Sequence, residues 1–183
     1  QDDPEVNDLG WVKDGENSGG AIYKPTASAA GKSGGRGGKV SWRAYGSMTY
    51  AMMESYVYLE LKDDSPEMRG ALKWMRNNYS VAENPGMGQA GWFYYALTFA
   101  KTMRTYCDAR GTRTVEDKDG VAHDWAKEIA AEIAKRQEKN GSWRNEVEQW
   151  WESDPILCTS YALSALGHAM EFSKEHPAAV AKK

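Results

Sequence analysis

The chain has 183 residues, and its 23 Lys and Arg against 26 Asp and Glu give a net charge of -3. A charge this close to neutral supplies no basic footprint for nucleic acid or for an acidic membrane surface. No stretch approaches the roughly 18 uninterrupted apolar residues that a membrane-spanning helix needs, and the length favours one domain with a sizeable core.

The N-terminal segment at 1–44 is predicted to contribute little to that core. Residues 1–10 are short and polar, and we interpret them as the end of an earlier helical repeat. The rest is rich in Gly and Ser, which predicts a long surface loop with a brief extended segment at 21–23. The glycines at 34–38 superficially resemble a phosphate-binding loop. A loop without that function is favoured, because the Gly-Lys-Ser/Thr ending and a preceding apolar strand are both missing.

Two helices of different character are predicted next. The first, at 45–61, is apolar on most of its faces, with Glu54 in its middle. The second begins at Ser65-Pro66, a capping residue followed by a proline that fits the first turn. Its apolar residues recur on one side: Met68, Ala71, Leu72, Met75 and Tyr79. A helix that is apolar all round belongs inside the molecule, and a one-sided helix covers it.

The pattern repeats along the rest of the chain. A third helix, at 89–107, is apolar nearly all round, and Asp119-Gly120 then predicts a β-hairpin. A fourth helix, at 124–139, is one-sided, with a stripe at i, i+4 spacing: Trp125, Ile129, Ile133 and Gln137. A fifth, at 154–173, is again apolar on nearly every face. The predicted organisation is therefore a Gly-rich segment, a repeat domain at 45–173 and a frayed tail at 174–183.

Tyr-Ala-apolar triplets support an internal repeat. They begin at Tyr50, Tyr95 and Tyr161, at corresponding places in the first, third and fifth helices. Three triplets at one helical phase predict three inner helices covered by two outer ones. The three tyrosines are then expected at equivalent positions of successive hairpins.

The turn after the fourth helix carries a family resemblance. Gln137-x3-Gly141-x-Trp143 resembles the QW repeat of squalene-hopene and oxidosqualene cyclases, and 159–163 resembles the inner helix that follows it. The resemblance covers about 46–170 and extends to bacterial squalene-cyclase/prenyltransferase-repeat proteins. It implies an all-α fold: a partial, open α/α toroid of helical hairpins, with a long Gly-rich N-terminal loop and a small β-hairpin. Five helices are too few to close a ring, so we expect an N-terminal part or another chain to complete it.

The QW residues are predicted to be structural. Gln137 can hydrogen-bond the backbone groups left free at a helix end. Gly141 supplies the positive φ of the chain reversal, and Trp143 covers the helix end.

The catalytic signatures that the resemblance would bring are missing from this chain. Toroid cyclases use an Asp-x-Asp-Asp acid, and prenyltransferases hold zinc through Asp-x-Cys and a distant His. Complement-type toroids form a thioester at a Cys, and Met87 stands in its place. Asp154, Cys158 and His168 lack the spacing of converging zinc ligands, so Asp154 is interpreted as a helix cap. No metal, cofactor or catalytic residue is expected, and Cys107 and Cys158 are interpreted as buried thiols rather than a disulfide.

Aromatic side chains and one acid make up the predicted binding surface. If the inner helices present an open face, these residues line a concave aromatic surface suited to a small molecule: Tyr50, Glu54, Trp92, Tyr94, Tyr95 and Tyr161. The alternative is that the rings fill the core between the helix layers. Glu54 favours the open face, because an unpaired buried carboxylate is costly.

Two functions remain open from the sequence. The first is a non-catalytic scaffold that binds an apolar, isoprenoid-like small molecule or a protein partner. The second is the C-terminal part of a terpene-cyclase-like or prenyltransferase-like enzyme whose catalytic residues lie outside this chain. The missing signatures favour the first. Neither a nucleic-acid partner nor a membrane span is expected, and the sequence indicates no compartment.

Overall fold

The computed structural model describes residues 1–13, 18–34 and 40–177, and this part of the chain is mostly helical. The helices are α1 (Gly10–Lys13), α2 (Gly46–Tyr58), α3 (Pro66–Asn77), α4 (Trp92–Arg110), α5 (Trp125–Lys135) and α6 (Pro155–Glu175). Strands β1 (Lys32–Gly34) and β2 (Val40–Trp42) pair antiparallel, as do β3 (Val115–Glu116) and β4 (Ala122–His123). Most of the glycine cluster at 34–38 and the last six residues of the tail lie outside the described residues.

The five long helices pack in two layers. Helices α2, α4 and α6 lie side by side with α4 in the middle. Helix α3 packs against α2, and α5 packs against both α4 and α6. Helices α2 to α6 correspond in order to the five predicted helices, so the predicted helical character is confirmed.

The one-sided helices bury the faces that their periodicity predicted. Met75 on α3 and Ile129 and Ile133 on α5 are buried, whereas Arg76 and Lys127 are exposed. Full burial of an aliphatic side chain stabilises a fold by about 1.5–3 kcal/mol. Helices α3 and α5 are therefore held mainly by their apolar stripes.

Aromatic rings connect the two layers at the centre of the core. Tyr50 on α2 meets Tyr95 and Phe99 on α4 edge-on, with ring centroids 5.7 and 5.1 Å apart. Phe99 is 6.4 Å from Trp125 on α5, and Trp125 is 4.8 Å from Phe172 on α6. Edge-to-face geometry of this kind adds about 0.5–1.5 kcal/mol per pair beyond area burial.

Three helix starts follow the capping chemistry of the sequence. The Ser65 hydroxyl accepts a hydrogen bond from the Met68 N–H at 3.4 Å, and the Asp154 carboxylate accepts one from the Ile156 N–H at 2.8 Å. Asp124 caps α5 in the same way, and Gly120, with a φ of 75°, turns the predicted β3–β4 hairpin. These local predictions are confirmed.

The turn after α5 confirms one predicted role and corrects another. Trp143 is 4% exposed, and its indole Nε1–H donates to the Ile133 carbonyl at 2.8 Å, so it covers the end of α5 as predicted. Gly141 has the expected positive φ of 87°. The role given to Gln137 is wrong, because α5 already ends at Lys135. Gln137 lies beyond the helix and donates to the Gly141 carbonyl at 2.9 Å, which closes the turn itself.

The Gly-rich segment is more ordered than its composition predicted. It contains α1 and the β1–β2 pair, and residues 21–23 lie outside the named strands. Its backbone is attached to the start of α2: the Ala21 N–H donates to the Thr49 hydroxyl at 2.9 Å, and the Tyr45 N–H donates to the Ala21 carbonyl at 3.2 Å. These bonds hold the segment beside the N-terminal end of α2.

Helix α6 is not enclosed on all sides. Its buried face, against α4 and α5, includes Cys158, Ala165 and Phe172. Its opposite face exposes large apolar side chains: Ile156, Leu163 and Met170. The expectation that α6 lies wholly inside is therefore wrong, because α6 is the last helix in its row.

Candidate aromatic cavity

A cavity of about 570 Å³ opens at the N-terminal ends of α2 and α4. Five aromatic rings from separate parts of the chain line it: Tyr23, Tyr45, Tyr94, Trp150 and Tyr161. Four apolar residues and four polar side chains complete the lining: Ala27, Ala29, Met48 and Gly91, and Ser28, Ser47, Asn84 and Glu152. The volume and the mainly apolar wall are typical of small-molecule sites. We call this feature the aromatic cavity.

Glu152 forms part of the cavity lining and caps α4. Its carboxylate accepts hydrogen bonds from the N–H groups of Phe93 at 3.1 Å and Tyr94 at 2.8 Å, in the first turn of the helix. The side-chain amide of Asn145 donates a third bond at 2.8 Å. Gly91, at the N-cap position, has no side chain that could do this. A buried carboxylate is well placed here, because the free N–H groups and the helix dipole stabilise a negative charge.

Asn84 has the equivalent role at α2. Its Oδ1 accepts from the Ser47 N–H at 3.2 Å, and its Nδ2 donates to the Ser47 hydroxyl at 3.0 Å and to the Ala90 carbonyl at 3.1 Å. Asn84 and Glu152 are each 1% exposed. In both cases the loop that leads into one inner helix caps the inner helix before it. The two polar residues are therefore fixed by bonds within the protein.

A strained backbone places one of two adjacent indoles in the cavity. Trp150 and Trp151 have φ values of 57° and 61°, a left-handed conformation that costs an L-residue about 1–2 kcal/mol. The Trp150 ring packs on Gly91, where an added Cβ would lie 3.0 Å from Cε3 of the indole. Trp150 lines the cavity, whereas Trp151 is 81% exposed and lies outside the lining. Backbone strain of this kind is often found at functional sites.

Two of the cavity phenols pack against each other, and two have raised pKa values. Tyr94 and Tyr161 meet edge-on, with centroids 5.9 Å apart. Burial, followed by the neighbouring phenols of Tyr94 and Tyr23, raises the pKa of Tyr45 to about 12. Burial, followed by the Glu152 carboxylate, also raises the pKa of Tyr161. These rings therefore present neutral, weakly polar walls at physiological pH.

Two of the six residues predicted for the concave surface line the aromatic cavity. Tyr94 and Tyr161 line the cavity, but Tyr50, Tyr95 and Trp92 are at most 1% exposed and lie in the core. Their placement on an open face is wrong because their side of α2 and α4 is turned towards the outer layer. Tyr161 is half-buried, so the three repeated tyrosines do not have equivalent surroundings.

Hydrogen bonds and packing hold the rings of Trp92 and Tyr95 in the core. The Tyr95 hydroxyl donates to the Ser80 carbonyl at 2.6 Å. The Trp92 indole donates to the Val81 carbonyl at 3.1 Å, and the Arg136 guanidinium lies 3.6 Å from the Trp92 ring centroid. A buried phenol or indole that finds such a partner is stable in a core.

Glu54 lies outside the cavity lining, and its carboxylate forms an ion pair with a lysine. The Lys101 ammonium on α4 is 3.2 Å from its carboxylate, and the Tyr58 hydroxyl donates to the same oxygen at 3.0 Å. Glu54 is therefore not the unpaired charge that its position in an apolar helix indicated. Its partner comes from a neighbouring helix, which periodicity alone does not reveal.

The cysteines are free, buried thiols, as expected. The Cys158 thiol donates to the Glu152 carbonyl at 2.9 Å. Burial, followed by the nearby Glu152 carboxylate, raises the Cys158 pKa to about 12. The thiol is thus neutral at physiological pH and engaged with the Glu152 carbonyl. Asp154 is engaged as the cap of α6.

Sequence reasoning missed the residues that shape the cavity most directly. None of Asn84, Glu152 and Trp150 belongs to a motif or to a periodic stripe in the sequence. Tyr23 and Tyr45 lie in or next to the Gly-rich segment, which was predicted to be a surface loop. The available signal was a side chain able to accept hydrogen bonds in the loop before α4 and in the loop before α6, namely Asn84 and Glu152.

None of the described helices is both long and apolar enough to cross a membrane. Comparison with protein-family models, with curated proteins and with solved structures gave no match.

Proposed function

We propose that this chain is a non-catalytic helical-repeat domain that binds an apolar, isoprenoid-like small molecule in the aromatic cavity. The observation that carries the proposal is a cavity of about 570 Å³ walled by five aromatic rings, whose buried polar residues already serve as helix caps. Neutral aromatic walls favour an apolar chain, and their π faces attract unsaturated or partly cationic groups.

An open α/α toroid is the fold that we propose for the repeat. Its support is the alternation of inner helices α2, α4 and α6 with outer helices α3 and α5. A second support is the repeated capping by Asn84 and Glu152, which relates one hairpin to the next. In such an arrangement the cavity lies where successive inner helices present their N-terminal ends.

Binding without turnover fits the chemistry of the lining better than catalysis does. Glu152 is the single carboxylate among the lining residues, and its oxygens accept three hydrogen bonds from the protein. An acid that protonates an alkene must carry a proton and aim it at the substrate. The Glu152 oxygens are instead directed at the α4 backbone and the Asn145 amide, where they serve as a helix cap.

Isothermal titration calorimetry with a long-chain isoprenoid alcohol tests the proposal. We expect saturable binding to the wild-type chain. Trp150→Ala and Tyr94→Ala should each raise the Kd by about tenfold, because each removes one ring of the lining and with it roughly 1.4 kcal/mol of binding free energy. The matched control is Trp151→Ala, whose side chain is adjacent in sequence but outside the lining. Circular dichroism confirms that each variant is folded. Absence of saturable binding, or equal losses in Trp150→Ala and Trp151→Ala, would contradict the proposal.

A further inference from the structure

Helix α6 carries a second apolar seam on the side that faces away from α4 and α5. The seam residues are separated by alternating steps of four and three, the spacing of a coiled-coil contact line: Ile156, Ser160, Leu163, Gly167, Met170 and Lys174. Ile156, Leu163 and Met170 are 78%, 56% and 66% exposed. These three side chains recur every seventh residue, so they form one continuous stripe along the helix.

Small residues separate the large ones along this seam. Ser160 lies between Ile156 and Leu163, and Gly167 lies between Leu163 and Met170. A Cβ added at Gly167 would have no atom within 4 Å, so the surface above it is open. The Ser160 hydroxyl donates to the Ile156 carbonyl at 2.9 Å. Burying this serine would therefore leave no hydroxyl without a partner.

The seam is complementary to an antiparallel copy of itself. Ala165 is the midpoint of Pro155–Glu175. A twofold axis perpendicular to the helix at this residue places a second α6 alongside the first, antiparallel and in contact over the full length. Under this symmetry Leu163 of one copy faces Gly167 of the other, and Met170 faces Ser160. Leu163 and Met170 thus each enter the space over a small residue, which allows close helix packing of about 8 Å in the central layers. Ile156 lies against the Lys174 stem of the other copy at each end. A C2 interface of this kind pairs one patch with itself.

The charges at the helix ends favour the same orientation. Asp154 and Lys174 are both exposed, at opposite ends of α6. In the antiparallel pair Lys174 of each copy lies beside Ile156 and near Asp154 of the other, and the helix dipoles oppose each other. A parallel pair would instead place Lys174 against Lys174 and Leu163 against Leu163. Glu171 and Glu175 lie at the same end as Lys174 but pair with Arg104 of their own chain. The antiparallel register therefore packs Leu163 and Met170 better and brings Lys174 towards Asp154.

We propose that the α6 seam is a homodimer interface, in which α6 of one copy packs antiparallel against α6 of a second copy about Ala165. The interface is independent of the aromatic cavity. Its occupant is a second copy of this chain because the seam supplies both the large and the small side of the four central layers, formed by Leu163 with Gly167 and by Met170 with Ser160.

Sedimentation equilibrium of the full chain, from low micromolar to millimolar concentration, tests this interface. We expect the mass to rise from 20.4 kDa towards twice that value. Leu163→Glu should weaken the dimer by roughly a hundredfold or more, because each dimer loses two buried leucines. Gly167→Leu should also weaken it by filling the space that Leu163 enters. The control is Val121→Glu, which removes an apolar side chain that is 53% exposed on the β3–β4 hairpin.

Cysteine cross-linking tests the register of the two helices. A mixture of Leu163→Cys and Gly167→Cys chains should form a disulfide between the two variants faster than either variant forms one with itself. The proposal is overturned if the wild-type mass stays at that of one chain, or if Leu163→Glu dimerises as well as Val121→Glu. Faster self-linking of Leu163→Cys would exclude the antiparallel register. A dimer that persists in Leu163→Glu would place the interface on another surface.

Discussion

Replacing Glu152 by Ala removes the cap of α4 and leaves three donors without their acceptor. Those donors are the N–H groups of Phe93 and Tyr94 and the amide of Asn145. Hydrogen bonds to a charged group contribute about 1.5–3 kcal/mol each, but water from the adjacent cavity can reach part of the exposed backbone. We therefore expect Glu152→Ala to lower the free energy of unfolding by about 3 kcal/mol, above the roughly 1 kcal/mol of an ordinary exposed cap.

Glu152→Gln separates the effect of charge from the effect of shape. The amide keeps one acceptor oxygen, but its NH₂ group faces a donor, so we expect a loss of about 1–2 kcal/mol. Urea unfolding followed by circular dichroism measures both values, provided that the m-value stays constant. The control is Glu148→Ala at an exposed position, where the change should remain within about 0.5 kcal/mol. If Glu152→Ala costs no more than Glu148→Ala, the capping account of the cavity is wrong.

Three further predictions concern the core and the turn. Trp143→Ala should lower the free energy of unfolding by about 3 kcal/mol, because it opens a cavity over the end of α5, and an unchanged melting temperature would refute this. Tyr95→Phe should cost about 1 kcal/mol, since the Tyr95 hydroxyl donates to the Ser80 carbonyl at 2.6 Å. Tyr50→Phe should cost less, because the buried Tyr50 hydroxyl interacts with the Tyr95 phenol but makes no well-formed hydrogen bond among the described residues. Equal urea midpoints for the two variants would contradict that contrast. Stability should also fall as the pH rises from about 10 to about 12, because folded Tyr45 keeps a proton that the unfolded chain releases. Tyr45→Phe should make this fall shallower, and urea midpoints across that range provide the test.

Local periodicity was enough to predict the outer helices. The stripe containing Ile129 and Ile133 recurs at the helical period, so its buried face could be identified without knowledge of the rest of the fold. Capping by Ser65 and Asp154 was predictable for the same reason, because both bonds join residues close in sequence.

The same reasoning could not predict which faces of the inner helices are buried. On a helix that is apolar all round, the sequence does not distinguish the face of Tyr95, which is buried, from the face of Tyr94, which lines the cavity. The cap of α4 joins Tyr94 to Glu152, 58 residues further along the chain, so local patterns contain no trace of it. The left-handed backbone of Trp150 is equally hidden, because tryptophan rarely adopts it.

Amide and indole NMR of the chain during titration with a long-chain isoprenoid alcohol tests ligand binding in the aromatic cavity most directly. The account predicts saturable shifts at the backbone amides of Gly91 and Tyr94 and at the Trp150 indole, with the α6 amide of Leu163 unchanged. Shifts confined to the α6 seam, or none at all at saturating ligand, would contradict it.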